Sequence, residues 1–213
     1  MTRGLALAPA PAQPPEGERG DPRARIVAAA EAAFVAQGFR LTTMDMVARG
    51  AGCSKKTLYK LFDSKEELFQ ELLTTSRRAF ERLPVDAALP PERALEAFLA
   101  DLAAMILRDS HIALTRIAVA EAGQLPRPLA APAGEPEIAR LALGEYLAEL
   151  DRSGAYDVAD PAEAARMLIG MALGAFHHEL LAGLEARVPE EALARRIRAS
   201  VRIFLRGCRV SGT

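Results

Sequence analysis

The sequence predicts an all-α protein of about nine helices, and three observations carry that prediction. Ala, Leu, Arg and Glu dominate a 213-residue chain in which aromatic residues make up 5% and tryptophan is absent, a composition that favours helices over a sandwich or barrel. Apolar residues recur three and four apart through most of the chain after position 21, which is the period of one helix face. Proline and glycine fall between these stretches, and no run shows the alternation of a strand. Half the residues are apolar, enough to fill one large domain or two small ones.

The elements follow in order. Residues 1–20 are rich in Ala, Pro and Gly without apolar periodicity and read as a disordered tail. Asp21-Pro22 starts the first helix, as a cap followed by a proline whose missing N–H is not needed there. Ile26, Ala30, Ala33 and Phe34 form its apolar face, and Gly38 ends it. Thr42-Thr43-Met44-Asp45 caps a short helix to about Ala51, Gly52 turns the chain, and Ser54 caps a second short helix ending at Phe62. Ser64 and Glu67 form a capping box for a long helix to about Leu83. Further helices are expected at Glu92–Arg108, Ile112–Ala122, Glu137–Arg152, Ala162–Gly183 and Glu190–Arg206, with a loop over 123–135.

Charge is distributed unevenly. The net formal charge is −1, yet residues 21–65 hold eight basic against four acidic residues, and from 86 onward fourteen arginines face eighteen acidic residues. All four lysines, Lys55, Lys56, Lys60 and Lys65, fall within eleven positions. A solvated helix face accounts for such a run, and so does a polyanionic partner.

Two short helices joined by a glycine turn form a helix-turn-helix. Val47, Ala48, Leu58 and Phe62 face inward, with Cys53 filling the turn, which leaves Lys55, Lys56, Thr57, Tyr59 and Lys60 outside. These cations, hydroxyls and an aromatic suit phosphates and base edges.

The segment TTMDMVARGAGCSKKTLYKLFDSKEELFQEL, Thr42 to Leu72, resembles the TetR/AcrR helix-turn-helix signature. Its core is Ala51-Gly52-Cys53-Ser54, Thr57-Leu58-Tyr59, and Phe62 followed by Ser64-Lys65-Glu66 and Leu68-Phe69. Cys53 stands where valine is usual and Lys56 where a small residue is common. The resemblance implies an N-terminal three-helix DNA-binding domain over 21–66 and a helical effector-binding and dimerisation domain over 67–210. It implies a transcriptional repressor that binds a palindromic operator in double-stranded DNA as a homodimer and is released by a small apolar effector. A ligand-dependent activator and an effector-independent DNA-binding protein are the alternatives. By the same resemblance Thr42 and Thr43 donate to a phosphate, Lys55, Lys56, Thr57 and Lys60 face the major groove, Tyr59 reaches a phosphate or packs, and Lys65 clamps the DNA backbone.

Beyond residue 86 the resemblance is one of architecture. Gly170 and Gly174 with Ala175 offer a face for close helix approach, and Leu193, Ile197, Val201 and Phe204 form a stripe that serves a dimer interface or the monomer core. Phe98, Leu102, Met105, Met167 and Met171 are candidates for a soft effector-binding lining or for ordinary core, with His111, Arg116, His177 and His178 as polar candidates, foremost Arg116 and His177.

Other chemistries find little material. No phosphate loop, dinucleotide fingerprint or nucleophile elbow is present, so no catalytic residue is assigned. His177 and His178 are adjacent and point about 100° apart on a helix. Without a His or Glu pair at ligand spacing, no metal and no cofactor is expected. Cys53 and Cys208 read as reduced packing thiols. The N-terminal apolar stretch Leu5–Ala8 is too short for a signal peptide or span, so a cytoplasmic protein without membrane contact is expected.

Overall fold

The computed structural model describes residues 21–80, 83–121 and 134–210. The expected tail over 1–20 and nearly all of the expected loop over 123–135 lie outside these residues. The helices are α1 (Pro22–Leu41), α2 (Met44–Gly50), α3 (Lys55–Leu61), α4 (Lys65–Phe80), α5 (Pro91–Ile106), α6 (Asp109–Ala120), α7 (Gly134–Arg152), α8 (Pro161–Ile169), α9 (Ala175–Ala182) and α10 (Glu190–Gly207). A π-turn, Gly170–Gly174, joins α8 to α9 without leaving helical φ and ψ at its ends, so the two helices form one rod. The described residues contain no sheet. An isolated bridge between Tyr156 and Arg209 ties the α7–α8 connection to the end of α10.

Local sequence explains where these helices start and stop. Asp21 accepts from the Arg23 N–H, with Pro22 in the first turn. Asp160 accepts from the Ala162 and Glu163 N–H groups, with Pro161 next. At α4, the Glu67 N–H donates to Ser64, while the Glu67 carboxylate accepts from the Asp63 N–H at 2.6 Å. Each such cap is worth about 1 kcal/mol. Gly38 has φ 77° and ψ 171°, a conformation open essentially to glycine alone, and it breaks α1 three residues before the helix ends.

Two cores organise the packing. The first joins Ile26, Ala30, Phe34 and Phe39 of α1 with Val47 and Ala48 of α2, Leu58 of α3 and Leu68, Phe69 and Leu72 of α4. Leu114 and Ala118 of α6 complete it. Phe34 stacks on Phe39 with centroids 5.6 Å apart, and both meet the Phe69 ring edge-on at about 5.5 Å. The second core gathers α5, α7, α8, the π-turn and α10, with Phe80 from the end of α4. Thus α4 begins in one core and ends in the other, while α6 belongs in sequence to the second half yet packs in the first core.

The last helices divide their apolar residues between core and surface. Ile197, Val201 and Phe204 are buried in the second core and Leu193 packs against it, so this stripe serves the monomer core. The apolar side chains left exposed nearby are Met167 and Ile203. Within the chain, a Cβ at Gly170 or Gly174 would meet nothing within 4 Å, so neither glycine is required by packing among the described helices.

Candidate functional site

The helix-turn-helix is α2 and α3 held against α1. Ser54 caps α3 by accepting from the Thr57 N–H at 3.1 Å. Gly52, at φ 61°, provides the left-handed residue of the turn. Val47, Ala48, Leu58 and Phe62 are buried, and this anchors one face of each helix. The opposite face of α3 exposes Lys55, Lys56, Tyr59 and Lys60, with Thr57 half-buried. The Thr57 hydroxyl lies 2.9 Å from that of Ser54. The Lys55 ammonium lies 2.5 Å from Asp45 of α2. Both partners are more than half exposed, so the pair contributes about 0–1 kcal/mol and Lys55 can exchange it at little cost.

Thr42, Thr43 and Lys65 sit where α1, α2 and α4 meet, and Thr42 differs from expectation. Thr43, not Thr42, caps α2: it accepts from the Met46 N–H and is exposed. Thr42 is buried, and its hydroxyl is directed at the carbonyls of Gly38 at 2.8 Å and Ala33 at 3.2 Å. A hydroxyl has one proton to give, so Thr42 closes the kink of α1 and does not donate to a phosphate. The Lys65 ammonium donates to the Phe39 carbonyl at 2.7 Å and lies 4.4 Å from the centre of the Phe39 ring. It clamps the protein's own backbone at the end of α1. Lys65→Ala is therefore expected to lower stability by about 1–2 kcal/mol, measured by urea melts. An unchanged midpoint would show that this clamp carries no weight.

Three arginines that sequence reasoning missed brace the interface. Arg25 donates to the Ala51 carbonyl at 2.8 Å, holding the turn from α1. Arg23 pairs with Glu71 at 3.0 Å and lies over the Phe62 ring. Arg40, at the end of α1, pairs with Glu121 at 2.9 Å just past α6. These partners are 26 to 81 residues apart, beyond any local pattern.

A cavity of about 310 Å³ lies between α5, α6 and the α8–α9 rod. Leu102, Ile106, Ile169 and Leu173 line it, with His111, Thr115, His177 and Arg166 as its polar groups and Gly170 and Gly174 on one wall. Of the sequence candidates for effector binding, Leu102, His111 and His177 reach this cavity. Phe98 is buried in the second core and Met105 packs against it. Met167 and Met171 border a separate depression beside Ile203 and Phe204. Arg116 donates to the carbonyls of Leu180 and Leu181, closing the end of α9. Pattern reasoning selected the apolar periodicity of these residues but had no signal for which side of each helix meets a void. Thr115 and the two glycines are the lining that it missed as such.

Electrostatics inside the cavity is set by burial. Desolvation, reinforced by His177 and Arg108, lowers the pKa of His111 to about 4. Burial lowers His177 in the same direction. Elsewhere, burial and nearby Asp157 push the Cys208 thiol up, opposite to what a reactive thiol needs. Among the described residues no cluster of His, Cys, Asp and Glu has the makings of a metal site. No helix there is long and apolar enough to cross a membrane.

Comparison with known proteins decides the family. Residues 26–72 match the family of bacterial regulatory proteins described as tetR, and residues 93–208 match the AefR-like transcriptional repressor C-terminal domain. The chain belongs to the TetR family. Both family models, and the relatives below, describe transcriptional regulators. The TetR-family chain is 39% identical over 71 residues to YhgD of Bacillus subtilis, an uncharacterized HTH-type regulator, which covers 33% of this chain and 37% of YhgD. It is 38% identical over 80 residues to the HTH-type regulator SrpR of Pseudomonas putida, covering 38% of this chain and 37% of SrpR. These curated relatives are thus matched over little more than a third of their own length. Whole-chain likeness comes from solved structures. A Mesorhizobium loti protein assigned to the TetR-family regulators shares 28% identity at a TM-score of 0.80, over 89% of this chain and 97% of its own. The flavonoid-responsive regulator FrrA shares 30% identity at a TM-score of 0.72, over 90% and 98%.

Proposed function

We propose that this protein is a repressor that binds a palindromic operator as a homodimer and leaves it when a small, largely apolar molecule enters the cavity. The observation that carries the DNA-binding half is the two-faced α3. Its apolar face is locked in the first core, and its free face brings together three lysines, a threonine and a tyrosine. Thr43 and Tyr59 are the proposed phosphate contacts, and Lys55, Lys56, Thr57 and Lys60 the groove contacts. Two such units must sit about 34–36 Å apart to enter successive major grooves. The exposed Met167 and Ile203, on α8 and α10, are the proposed dimer face. Residues 21–66 form the proposed DNA-binding domain and 67–210 the effector and dimer domain, with α4 shared between their cores.

What supports ligand release is the position of α6. Thr115 and His111 line the cavity, while Leu114 and Ala118 of the same helix complete the first core. Glu121 beyond its end holds Arg40, and His111 meets Phe80 at the end of α4 with centroids 5.9 Å apart. A ligand that displaces His111 and Thr115 therefore pushes on both helices that enter the DNA-binding unit. A 100-fold drop in operator affinity requires about 2.7 kcal/mol of differential binding, within reach of a small apolar ligand. Relatives do not name the ligand for this chain: FrrA is called flavonoid-responsive, and a structure from Bacillus halodurans is called a fatty acid degradation regulator.

Operator binding measured across a salt series tests the proposal. A preference for the cognate duplex over a scrambled one, with affinity falling steeply as salt rises, is expected. The double variant Lys56→Ala, Lys60→Ala should reduce the slope of log affinity against log salt by about two and the affinity by roughly 30-fold near physiological salt. Its urea midpoint should not move, because both side chains are exposed. A slope equal to that of the unmodified protein would remove α3 from the interface.

A further inference from the structure

The cavity beside α6 has a shape and an electrostatic character that restrict what it can hold. Its α8–α9 wall carries Gly170 and Gly174 at the two ends of the π-turn, each with empty space where a Cβ would stand. Glycine inside a helix costs about 1 kcal/mol relative to alanine, and among the described residues no close helix contact calls for it. What the two glycines leave is a strip of bare backbone along the wall, flat because no side chain ridges it. Leu102 and Ile106 of α5, with Leu173, supply apolar walls.

The polar groups are matched to neutral hydrogen bonding. The rings of His111 and His177 lie 6.4 Å apart and tilted by 46°, with Thr115 beside them on the lining. Among the described residues no carboxylate lines the cavity, so a cationic ligand meets no counter-charge from them. Arg166, the lining cation among the described residues, is paired with Glu163 at 2.9 Å, and both are half exposed, so a carboxylate gains only the small net attraction of a solvent-screened pair against the loss of its own hydration. Burial keeps both imidazoles uncharged at neutral pH, and an uncharged imidazole has one nitrogen that donates and one that accepts. At about 310 Å³ the cavity is at the small end of the range for ligand pockets, roughly 300–1,000 Å³, which suits one or two rings.

We propose that the cavity takes an uncharged, flat, one- or two-ring molecule bearing a hydroxyl group, with the ring on the glycine strip and the hydroxyl at His177 and Thr115. This rests on the reading of the cavity as the effector site, and it adds the chemical class. A phenol is the simplest member.

Calorimetry with the full chain at pH 7.5 tests this with three probes of matched shape: biphenyl-4-ol, biphenyl and biphenyl-4-carboxylate. Biphenyl-4-ol should bind at least tenfold more tightly than either of the others. His177→Phe should bring the phenol down to the affinity of biphenyl while biphenyl itself still binds. Gly174→Leu should abolish binding of all three without lowering the melting temperature, because the leucine replaces a glycine and enters open space. Equal or tighter binding of the carboxylate, or no binding by any probe, overturns the assignment. Operator affinity is read separately. A protein that binds its operator but no probe loses the ligand class and keeps the regulator reading. A protein that binds the phenol without any change in operator affinity keeps the ligand class and loses the release reading.

Discussion

Phe34→Ala is expected to destabilise the protein by about 3–5 kcal/mol and to abolish operator binding at physiological temperature. The ring is fully buried and belongs to a trio in which Phe34, Phe39 and Phe69 each meet both others. Removing it deletes the transfer energy of a whole side chain and leaves a void that its neighbours cannot fill, because α1 is pinned by Arg25 to the turn and by Lys65 to its own end. The same core contains Leu58 and Phe62, which hold α3, and Leu114 and Ala118, which bring α6. The loss should therefore appear twice, as a lower urea midpoint and as a protein that no longer retards DNA, while Phe34→Leu should recover most of both. A change below about 1 kcal/mol in the alanine variant would mean that the trio relaxes as a unit and that the DNA-binding core is not organised around this ring.

The residues that make this core were readable in advance, and the reason is local. Ile26, Ala30 and Phe34 follow one another at helix spacing, Gly38 and Gly52 mark backbone conformations that side chains resist, and Ser54 and Ser64 cap helices within three residues of themselves. Every one of those signals acts over a single turn. The same holds for the outward face of α3, since placing Leu58 and Phe62 inside leaves the lysines nowhere else to point. Thr42 shows where such reading fails. Two adjacent threonines before a helix are equivalent as letters, and only the kink at Gly38 determines that the first turns back into α1 and the second caps α2. Lys65 has a protein partner that no local pattern announces, a carbonyl 26 residues away.

The second half was legible as helices and less so as a site. Apolar periodicity says which face of a helix avoids water but not whether that face meets another helix, a second copy or a void. Ile197, Val201 and Phe204 avoid water by packing in the monomer. Gly170 and Gly174, read as a close-contact pair, border open space within the chain and line the cavity. The π-turn between them has no signature in a pattern tuned to 3.6 residues per turn, and it brings His177 round toward His111, a pairing across 66 positions (compare α6 and α9) that nothing local announces.

That pairing leads to a pH dependence that can be derived with its sign. His111 has a pKa of about 4 in the folded protein against roughly 6.5 when unfolded. Above pH 6.5 the group is neutral in both states and contributes nothing to the dependence. Below it the unfolded chain takes up a proton that the folded chain refuses, so stability falls as pH falls, by up to 1.4 kcal/mol per pH unit, until about pH 4. The whole effect is on the order of 3 kcal/mol, and it disappears if the titrating ring is removed. In His111→Phe, a ring that can still face Phe80, urea melts at pH 7.5, 6.5, 5.5 and 4.5 should therefore show a shallower loss than the unmodified protein shows over the same interval. His177, shifted in the same direction by burial, keeps part of the slope in that variant, and His111→Phe combined with His177→Phe should flatten it further. Parallel curves for all three proteins would mean that solvent reaches His111 freely in the folded state. Diverging curves would place a buried, proton-refusing group on α6, the helix that contacts both the cavity and the DNA-binding core. Acid would then weaken the same packing that a neutral ligand has to displace.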